Sequence, residues 1–246
     1  MGLDLRPSTL FAVDDAEAVA GRRPERTVRA LFEHPLLDAT WSVFAAGEPG
    51  ANPHVHRRHV DAFYVVEGEL QFGVGPDLEP LRASAGTFVL VPSGVVHAFD
   101  NASDATARWL NFHAPSTGFL AYLRGERGGF DSEDPPADGG RRAADAVVTL
   151  AEGGERERQA TSTLSSESQL VATLLVLEPG CAAGARHGET VDAFFVLDGQ
   201  VELVLGDRQL RGGAGTWLAA PPSVDHEARN VGSKPARLLN LRAPNR

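Results

Sequence analysis

Short apolar stretches, interrupted by Gly, Pro, Asn and Asp, recur along the chain and predict β-strands. β-Branched and aromatic residues are frequent in these stretches, which is typical of strands bounded by turns. The predicted strands of the first half are 40–46, 62–68, 69–75, 87–92 and 107–113. Because no series of helices is available to cover a parallel sheet, the pattern favours an antiparallel, all-β sandwich or barrel.

One helical signal follows the last of these strands. Ser116 is a candidate N-cap, since its side-chain oxygen can accept from the free N–H groups of a first turn. The apolar positions of this predicted helix are Phe119, Leu120 and Leu123, and Gly125 marks its end.

Three blocks of the first half recur in the same order in the second half. The matched pairs are 60–75 with 191–206, 85–97 with 214–226, and 107–115 with 236–244. Such blocks indicate a duplicated domain of about a hundred residues rather than a short solenoid repeat. The segment 125–145 is rich in Gly, Pro and charge and reads as a linker or long surface loop. We therefore expect an N-terminal domain over 1–124 and a C-terminal domain over 146–246.

Charge and composition narrow the class of protein. The chain has 246 residues, of which 33 are acidic and 23 basic, for a formal net charge of -10. Neither nucleic acid nor a membrane is an expected partner, because this charge repels phosphate backbones and anionic lipid. Cys181 is the only cysteine, and neither a signal peptide nor a membrane-spanning stretch is evident, so we expect a cytoplasmic protein. The near-exclusive use of Arg over Lys suggests a GC-rich bacterial genome.

Histidines carry the candidate chemistry. His54 and His56 lie two residues apart, so on a strand both imidazoles face the same side. Asp61 follows at the start of the next strand, and His97 opens a later one. Three imidazoles and a carboxylate that converge on one point suit a divalent transition metal with open coordination positions.

These residues stand in two motifs that resemble those of the cupin superfamily. The first motif is matched by Gly50, His54, His56, Asp61 and Gly68, and the second by Gly86, Pro92, Gly94, His97 and Asn101. The duplicated blocks extend the resemblance over nearly the whole chain. The resemblance implies a bicupin, with two tandem jelly-roll β-barrels, few short helices, and a metal held by His54, His56, Asp61 and His97.

The chain departs from the cupin motif at Asp61, where glutamate is usual. The aspartate is one methylene shorter, a deficit of roughly 1.3 Å against metal–oxygen bonds of about 2.0–2.2 Å. This leaves three alternatives for Asp61. It binds the metal directly, it binds through a water molecule, or it stays unbound beside a three-histidine site. His59 is an alternative ligand, although its arginine-flanked turn predicts a solvated loop residue instead.

The second half keeps only part of this ligand set. His187, Asp192 and His226 are the candidate ligands of a second metal site, but Ala185 stands at the position of His54. Two histidines and one carboxylate can hold iron(II). The missing imidazole favours the alternative, a degenerate site whose fold survives for packing. Cys181 is a less favoured soft ligand.

Strand parity places further residues on the side of the ligands. The candidate substrate-pocket residues are Phe63, Val65, Phe99, Trp109, Asn111 and His113. An apolar pocket with a few polar groups suits a small organic molecule beside a metal. Plain core packing is an equally good interpretation of the aromatic members.

The resemblance extends to the quercetinase-like dioxygenases and implies a metal-dependent dioxygenase of a small oxygenated aromatic substrate. Fe(II) is the favoured metal, with Mn, Ni, Cu or Zn as alternatives. If Asp61 does not bind the metal, it is the candidate general base toward the substrate hydroxyl. Metal-dependent isomerases and hydrolases, and non-catalytic binders of small molecules or sugars, stay open because fold does not choose among them. Cupin barrels often pair, so a homodimer is a further expectation. Residues 1–27 have no place in the first repeat, so we expect them to serve such pairing or to pack on the other barrel.

Overall fold

The computed structural model describes residues 9–23, 25–150, 159–166, 168–184 and 189–244. Its contacts divide the chain into two compact units. The N-terminal unit is Glu17–Glu152, and the C-terminal unit combines Met1–Ala16 with Gly153–Arg246. Both are built from antiparallel strands, so the predicted all-β class is confirmed.

Strands account for nearly all regular structure in the described residues. In chain order they are β1 Thr9–Ala12, β2 Glu17–Arg23, β3 Arg26–His34, β4 Leu37–Phe44, β5 Ala51–His54, β6 Val60–Glu67, β7 Glu69–Val74, β8 Glu79–Ser84, β9 Thr87–Val91, β10 His97–Asp100, β11 Ala107–Ala114, β12 Val147–Leu150, β13 Gln159–Ser166, β14 Val171–Leu177, β15 Ala182–Ala183, β16 Thr190–Asp198, β17 Val201–Leu205, β18 Arg208–Gly212, β19 Thr216–Ala220, β20 His226–Asn230 and β21 Ala236–Pro244. One α-helix, α1, spans Phe119–Leu123, and single 3-10 turns lie at Val13–Asp15 and Ala143–Asp145.

The N-terminal unit packs a seven-stranded sheet against a four-stranded one. The larger sheet has the order β12-β9-β6-β11-β4-β3-β2, and the smaller has β5-β10-β7-β8. Phe63 and Trp109 from the larger sheet share one apolar core with Leu70 and Phe72 from the smaller. Neither sheet closes on itself, so the jelly roll is a sandwich of open sheets and not a closed barrel.

The C-terminal unit repeats this plan. Its six-stranded sheet has the order β1-β19-β16-β21-β14-β13, and its four-stranded sheet has β15-β20-β17-β18. The core again joins both sheets, with Phe194 and Leu218 from the larger and Leu203 and Ala228 from the smaller. The duplicated sequence blocks therefore fold as two similar sandwiches.

The units differ from the predicted segments at their edges. Strand β12 pairs with β9, in a register that runs from Val147↔Leu90 to Leu150↔Thr87. Strand β1 pairs with β19 instead of with any strand of the first repeat. Both strands cover a sheet edge that would otherwise present free N–H and C=O groups. As a result, the N-terminal unit extends past 145, and the first strand of the chain belongs to the C-terminal unit.

The segment 125–145 is a surface loop fastened to the N-terminal unit. Val55 and Glu133 exchange two backbone hydrogen bonds of 3.0 Å, and Arg141 N donates to Gly94 O at 2.9 Å. Helix α1 lies just before it, as predicted, but its N-cap is Gly118. The Ser116 hydroxyl donates instead to Asp38 Oδ2 at 2.8 Å.

Among the described residues, no helix has the length and apolar character needed to cross a membrane.

Candidate metal site

Four side chains of ligand type meet in the N-terminal unit. His54 ends β5 directly opposite His97, which begins the paired strand β10. His56 follows β5, and Asp61 lies at the start of β6. One ligand atom from each lies within 4.8 Å of all the others. The structure therefore brings together the four predicted ligands.

Backbone carbonyls fix the tautomer of the three imidazoles. The contacts join Nδ1 of His54 to Asn52 O at 2.8 Å, Nδ1 of His56 to Asp131 O at 2.5 Å, and Nδ1 of His97 to Val95 O at 3.2 Å. Because a carbonyl only accepts, each Nδ1 must carry the proton and donate it. In a neutral ring, Nε2 is then left with a free lone pair, which is the form that binds a metal.

The carboxylate of Asp61 faces two of these lone pairs. Its Oδ2 lies 3.2 Å from Nε2 of His97 and 3.4 Å from Nε2 of His56. Three acceptors at this distance need a cation between them, either a proton on an imidazole or a metal ion. Burial and the neighbouring His97 and His56 lower the pKa of His54 to about 4, so its imidazole is neutral at pH 7.

The distances between the ligand atoms show whether the shorter side chain of Asp61 can reach a metal that the histidines hold. Two ligand atoms each about 2.1 Å from one metal lie roughly 3.0–3.4 Å apart at octahedral to tetrahedral angles. The Asp61–His97 and Asp61–His56 distances of 3.2 and 3.4 Å match this separation. In addition, Nε2 of His56 is buried without a hydrogen-bond partner. The residues present fit a divalent metal.

The second oxygen of Asp61 is held by strand β11. Oδ1 accepts from Asn111 Nδ2 at 2.5 Å and lies 3.2 Å from Nε2 of His113, which is opposite Asp61 in the register. Burial opposes ionisation, but the contact with Nε2 of His113, together with the other imidazoles, holds the pKa of Asp61 well below its usual value. Asp61 is thus an oriented, ionised carboxylate.

The prediction of a solvated His59 is wrong. His59 is 0% exposed, and its Nδ1 lies 2.8 Å from Oδ2 of Asp131. The buried Asp131 carboxylate also accepts from the backbone N–H groups of Arg57 and Arg58, at 3.1 and 2.7 Å. Burial, and the proximity of His113 and His56, lower the pKa of His59 to about 3. The reason for the error is that the 125–145 loop folds over this turn.

A cavity of about 480 Å³ opens beside the ligands. Four of the predicted pocket residues line it: Phe99, Trp109, Asn111 and His113. Phe63 and Val65 do not, since both are completely buried in the core, where Phe63 packs edge-on against Phe99 at 5.1 Å between ring centres. Strand parity predicts which side of the strand Phe63 and Val65 occupy, but it does not predict how deeply they are buried.

Sequence reasoning missed other parts of this cavity. Its further lining residues include Arg26, Thr40, Ser42, Phe44, Phe119, Tyr122 and Phe130. Alternate positions 40, 42 and 44 of β4 show the period-2 signal that could have identified three of them. Phe130 and Asp131 come from an aperiodic loop, which gives no such signal.

The C-terminal unit has a different arrangement around Asp192. Its Oδ2 lies 3.1 Å from His226 Nε2 and 3.4 Å from Arg242 Nε. Its Oδ1 accepts from Asn240 Nδ2. A cavity of about 740 Å³ adjoins His226, Asn240 and Arg242. The guanidinium of Arg242 supplies a fixed positive charge at the position equivalent to His113.

Of the other residues considered in this unit, the structure describes only Cys181. His187 and Ala185 lie outside the described residues, and Cys181 packs against the apolar core. Burial lowers the pKa of His226, but Asp192 and the Val224 carbonyl raise it by more, so the net shift is upward. This favours a protonated imidazole paired with Asp192.

Sequence comparison assigns the family. The profile of the Cupin_2 family, described as "Cupin domain", matches residues 40–113 and again 173–242. The chain belongs to the cupin family. Each match covers strands of one unit, so the cupin is a bicupin, as the motifs predicted. No curated protein gives a match.

Solved structures agree with this assignment. The cupin is similar to AerE from Microcystis aeruginosa, with a TM-score of 0.68 and 14% identity over 96% of this chain and 99% of that one. It is also similar to the oxalate decarboxylase of Lactobacillus farciminis, with a TM-score of 0.64 and 14% identity over 99% and 88%. A cupin 2 conserved barrel domain protein from Leptotrichia buccalis matches with a TM-score of 0.61 and 11% identity over 91% of each chain. At these identities the likeness shows the fold alone.

Proposed function

We propose that this bicupin is a metal-dependent dioxygenase that acts on a small oxygenated aromatic substrate in the N-terminal unit. One observation carries the proposal. Three imidazoles with carbonyl-bonded Nδ1 atoms surround the Asp61 carboxylate, beside a cavity walled by aromatic rings.

The proposed ligands are His54, His56, Asp61 and His97. A divalent metal bound there, with Fe(II) favoured, would supply Lewis-acid and redox chemistry. An N₃O ligand set with open positions suits iron, while Mn, Ni, Cu and Zn use the same donor types. Asp61 is ionised and held by Asn111, so it is ready to serve as a ligand without rearrangement.

We assign proton transfer to the Asp61–His113 pair. Both oxygens of Asp61 already have partners, so the carboxylate is less suited to act alone as base. His113 lines the cavity, donates from Nε2 to Asp61 Oδ1, and has a buried Nδ1 with no hydrogen-bond partner. That lone pair can accept a proton from a substrate hydroxyl, and Asp61 would stabilise the resulting imidazolium.

The cavity walls support an aromatic substrate. Rings of Phe44, Phe99 and Trp109 lie on one part of the wall, and Phe119, Tyr122 and Phe130 on another. A volume of about 480 Å³ exceeds what a very small acid needs. Arg26 also lines the cavity. Its guanidinium carbon lies 4.4 Å from the centre of the Phe44 ring, and its Nη1 donates to Pro49 O at 2.8 Å and lies 3.8 Å from Glu48 Oε1.

The test is metal analysis of the protein purified without added metal, followed by oxygen uptake with a panel of flavonols and catechols. We expect about one metal per chain and uptake with at least one substrate. His56→Ala should abolish both, while the matched variant His226→Ala in the C-terminal unit should keep both. Less than stoichiometric metal, or metal content that is unchanged in His56→Ala, would refute the proposal.

A metal-dependent isomerase is the second candidate, and the free Nδ1 of His113 favours it. A histidine held by a carboxylate can move a proton without consuming oxygen. In that case the same cavity would turn over substrate in anaerobic solution. Substrate turnover without oxygen uptake, lost in His113→Gln, would select this function over the dioxygenase.

A further inference from the structure

Among the described residues of the N-terminal unit, three buried ring nitrogens have no hydrogen-bond partner. They are Nε2 of His56, Nε2 of His59 and Nδ1 of His113. The three residues are only 2%, 0% and 3% exposed. A buried polar atom without a partner costs free energy, so each needs an explanation.

The three rings form a compact group. The distance between ring centres is 4.1 Å for His56 and His59, 4.8 Å for His59 and His113, and 5.7 Å for His56 and His113. One ligand atom from each lies within 4.8 Å of the other two. This group lies beside the four-residue site and has His56 in common with it.

The other nitrogen of each ring is already engaged. Nδ1 of His56 donates to Asp131 O, and Nδ1 of His59 donates to the Asp131 carboxylate. Nε2 of His113 lies 3.2 Å from the carboxylate of Asp61. Carboxylates and carbonyls that orient a histidine through its far nitrogen are the usual supporting contacts of metal-binding histidines.

Aromatic rings surround this group on another side. Phe119 lies 4.2 Å from His113 between ring centres, and Phe130 lies 6.4 Å from His59. These rings offer no hydrogen-bond donor to the free nitrogens. A cation is therefore the partner that best accounts for all three lone pairs together.

We propose that His56, His59 and His113 form a second metal-binding position next to the first. Its donors are all imidazole nitrogens, a set that suits Zn²⁺, Cu²⁺, Ni²⁺ or Co²⁺ better than Mn²⁺ or Mg²⁺. Nε2 of His56 has one lone pair, so His56 binds a metal in one position at a time. The N-terminal unit thus has two overlapping ligand sets, one with a carboxylate and one without. A metal in the second position would occupy Nε2 of His56 and Nδ1 of His113, so it excludes both a metal in the first position and proton transfer by His113. The titration below measures metal binding alone and does not depend on which reaction the cupin catalyses.

The test uses the full chain stripped with a chelator and titrated with Zn²⁺ by calorimetry. A His226→Ala background keeps the C-terminal unit from contributing. His54→Ala with His97→Ala removes two ligands of the first position and should still bind about one Zn²⁺ per chain. Adding His59→Ala and His113→Ala should weaken that binding by more than about 100-fold. A loss of this size exceeds the roughly 10–100-fold loss expected when a residue only orients a metal ligand.

Two results would overturn the proposal. One is a folded His54→Ala/His97→Ala protein, checked by circular dichroism, that binds no Zn²⁺. The other is binding that persists after His59 and His113 are also removed.

A single variant keeps the proposal testable if the multiple variants do not fold. His59→Gln should lower the affinity for Zn²⁺ by about tenfold or more relative to the affinity for Mn²⁺, since Mn²⁺ prefers the set with Asp61. An unchanged ratio of the two affinities in His59→Gln would contradict the second position.

Discussion

The two units share one polar framework and differ in what surrounds it. In each unit a buried aspartate is held by an asparagine of the neighbouring strand, β11 or β21. The aspartate also faces a histidine whose Nδ1 donates to the carbonyl of a valine two residues earlier. The Nε2–Oδ2 distances are nearly equal, 3.2 Å for His97–Asp61 and 3.1 Å for His226–Asp192. The framework follows from the fold, so it does not by itself indicate metal chemistry.

The difference lies in the positive charge offered to the carboxylate. Around Asp61 stand imidazoles with free lone pairs, whereas Arg242 places its Nε 3.4 Å from Asp192. The sequence puts His113 in the N-terminal unit where Arg242 stands in the other. A guanidinium is always protonated and cannot ligate a metal. Among the described residues, the carboxylate of the N-terminal unit therefore faces groups that can bind a metal, whereas that of the C-terminal unit faces a permanent cation.

Placing a guanidinium in the N-terminal unit should have the largest effect on metal affinity. His113→Arg places a guanidinium beside Asp61, and we expect the affinity of the N-terminal unit for Mn²⁺ to fall by more than about 100-fold because the charges repel. Calorimetric titration of the chelator-stripped protein measures this. His113→Gln, which adds no charge, is the control and should stay within about tenfold of the natural protein. Equal losses in both variants would show that charge is not the deciding difference.

A substitution in the 125–145 loop should have the second-largest effect on metal affinity. Asp131 orients His59 through its carboxylate and His56 through its carbonyl. Asp131→Asn keeps the carbonyl but weakens acceptance from three N–H groups, so we expect a loss of about 10–100-fold in metal affinity. Glu126→Gln, an exposed residue of the same loop that does not line the cavity, should change nothing. An unaltered affinity in Asp131→Asn would mean that the loop only covers the site.

A smaller difference between the two units is expected in how acid changes their stability. The pKa of His54 in the folded chain is about 4, below its unfolded value, so protonation of the unfolded state destabilises the metal-free N-terminal unit as pH falls below 6.5. By pH 5 this amounts to at most about 2 kcal/mol for that histidine. The pKa of His226 is raised, so its contribution is present below 6.5 and is lost as pH rises through the folded value.

Hydrogen exchange at pH 7.5 and pH 5 can follow the strands of each unit in the same sample. We expect protection of β6 to fall and protection of β16 to rise on acidification of the metal-free protein. The same direction of change in both strands would contradict the assigned ionisation states.

Much of this arrangement could be predicted from local pattern. The duplicated blocks identify two similar folds, and the two-residue spacing of His54 and His56 places both imidazoles at one site. The role of Asp131 could not be predicted, because its contact with His59 spans 72 positions through a loop without periodicity. Packing on the other barrel was one of two expectations for residues 1–27, and β1 follows it by pairing with β19. The pairing of β12 with β9 had no signal in the sequence, since β12 lies outside the repeated blocks.

The central proposal is that a metal binds in the N-terminal unit, through His56, and not in the C-terminal unit. Metal content per chain, measured on the natural protein, His56→Ala and His226→Ala, tests it most directly. We expect about one bound Mn²⁺ or Fe²⁺ per chain in the natural protein and in His226→Ala, and none in His56→Ala. A metal that survives His56→Ala and disappears in His226→Ala would contradict it.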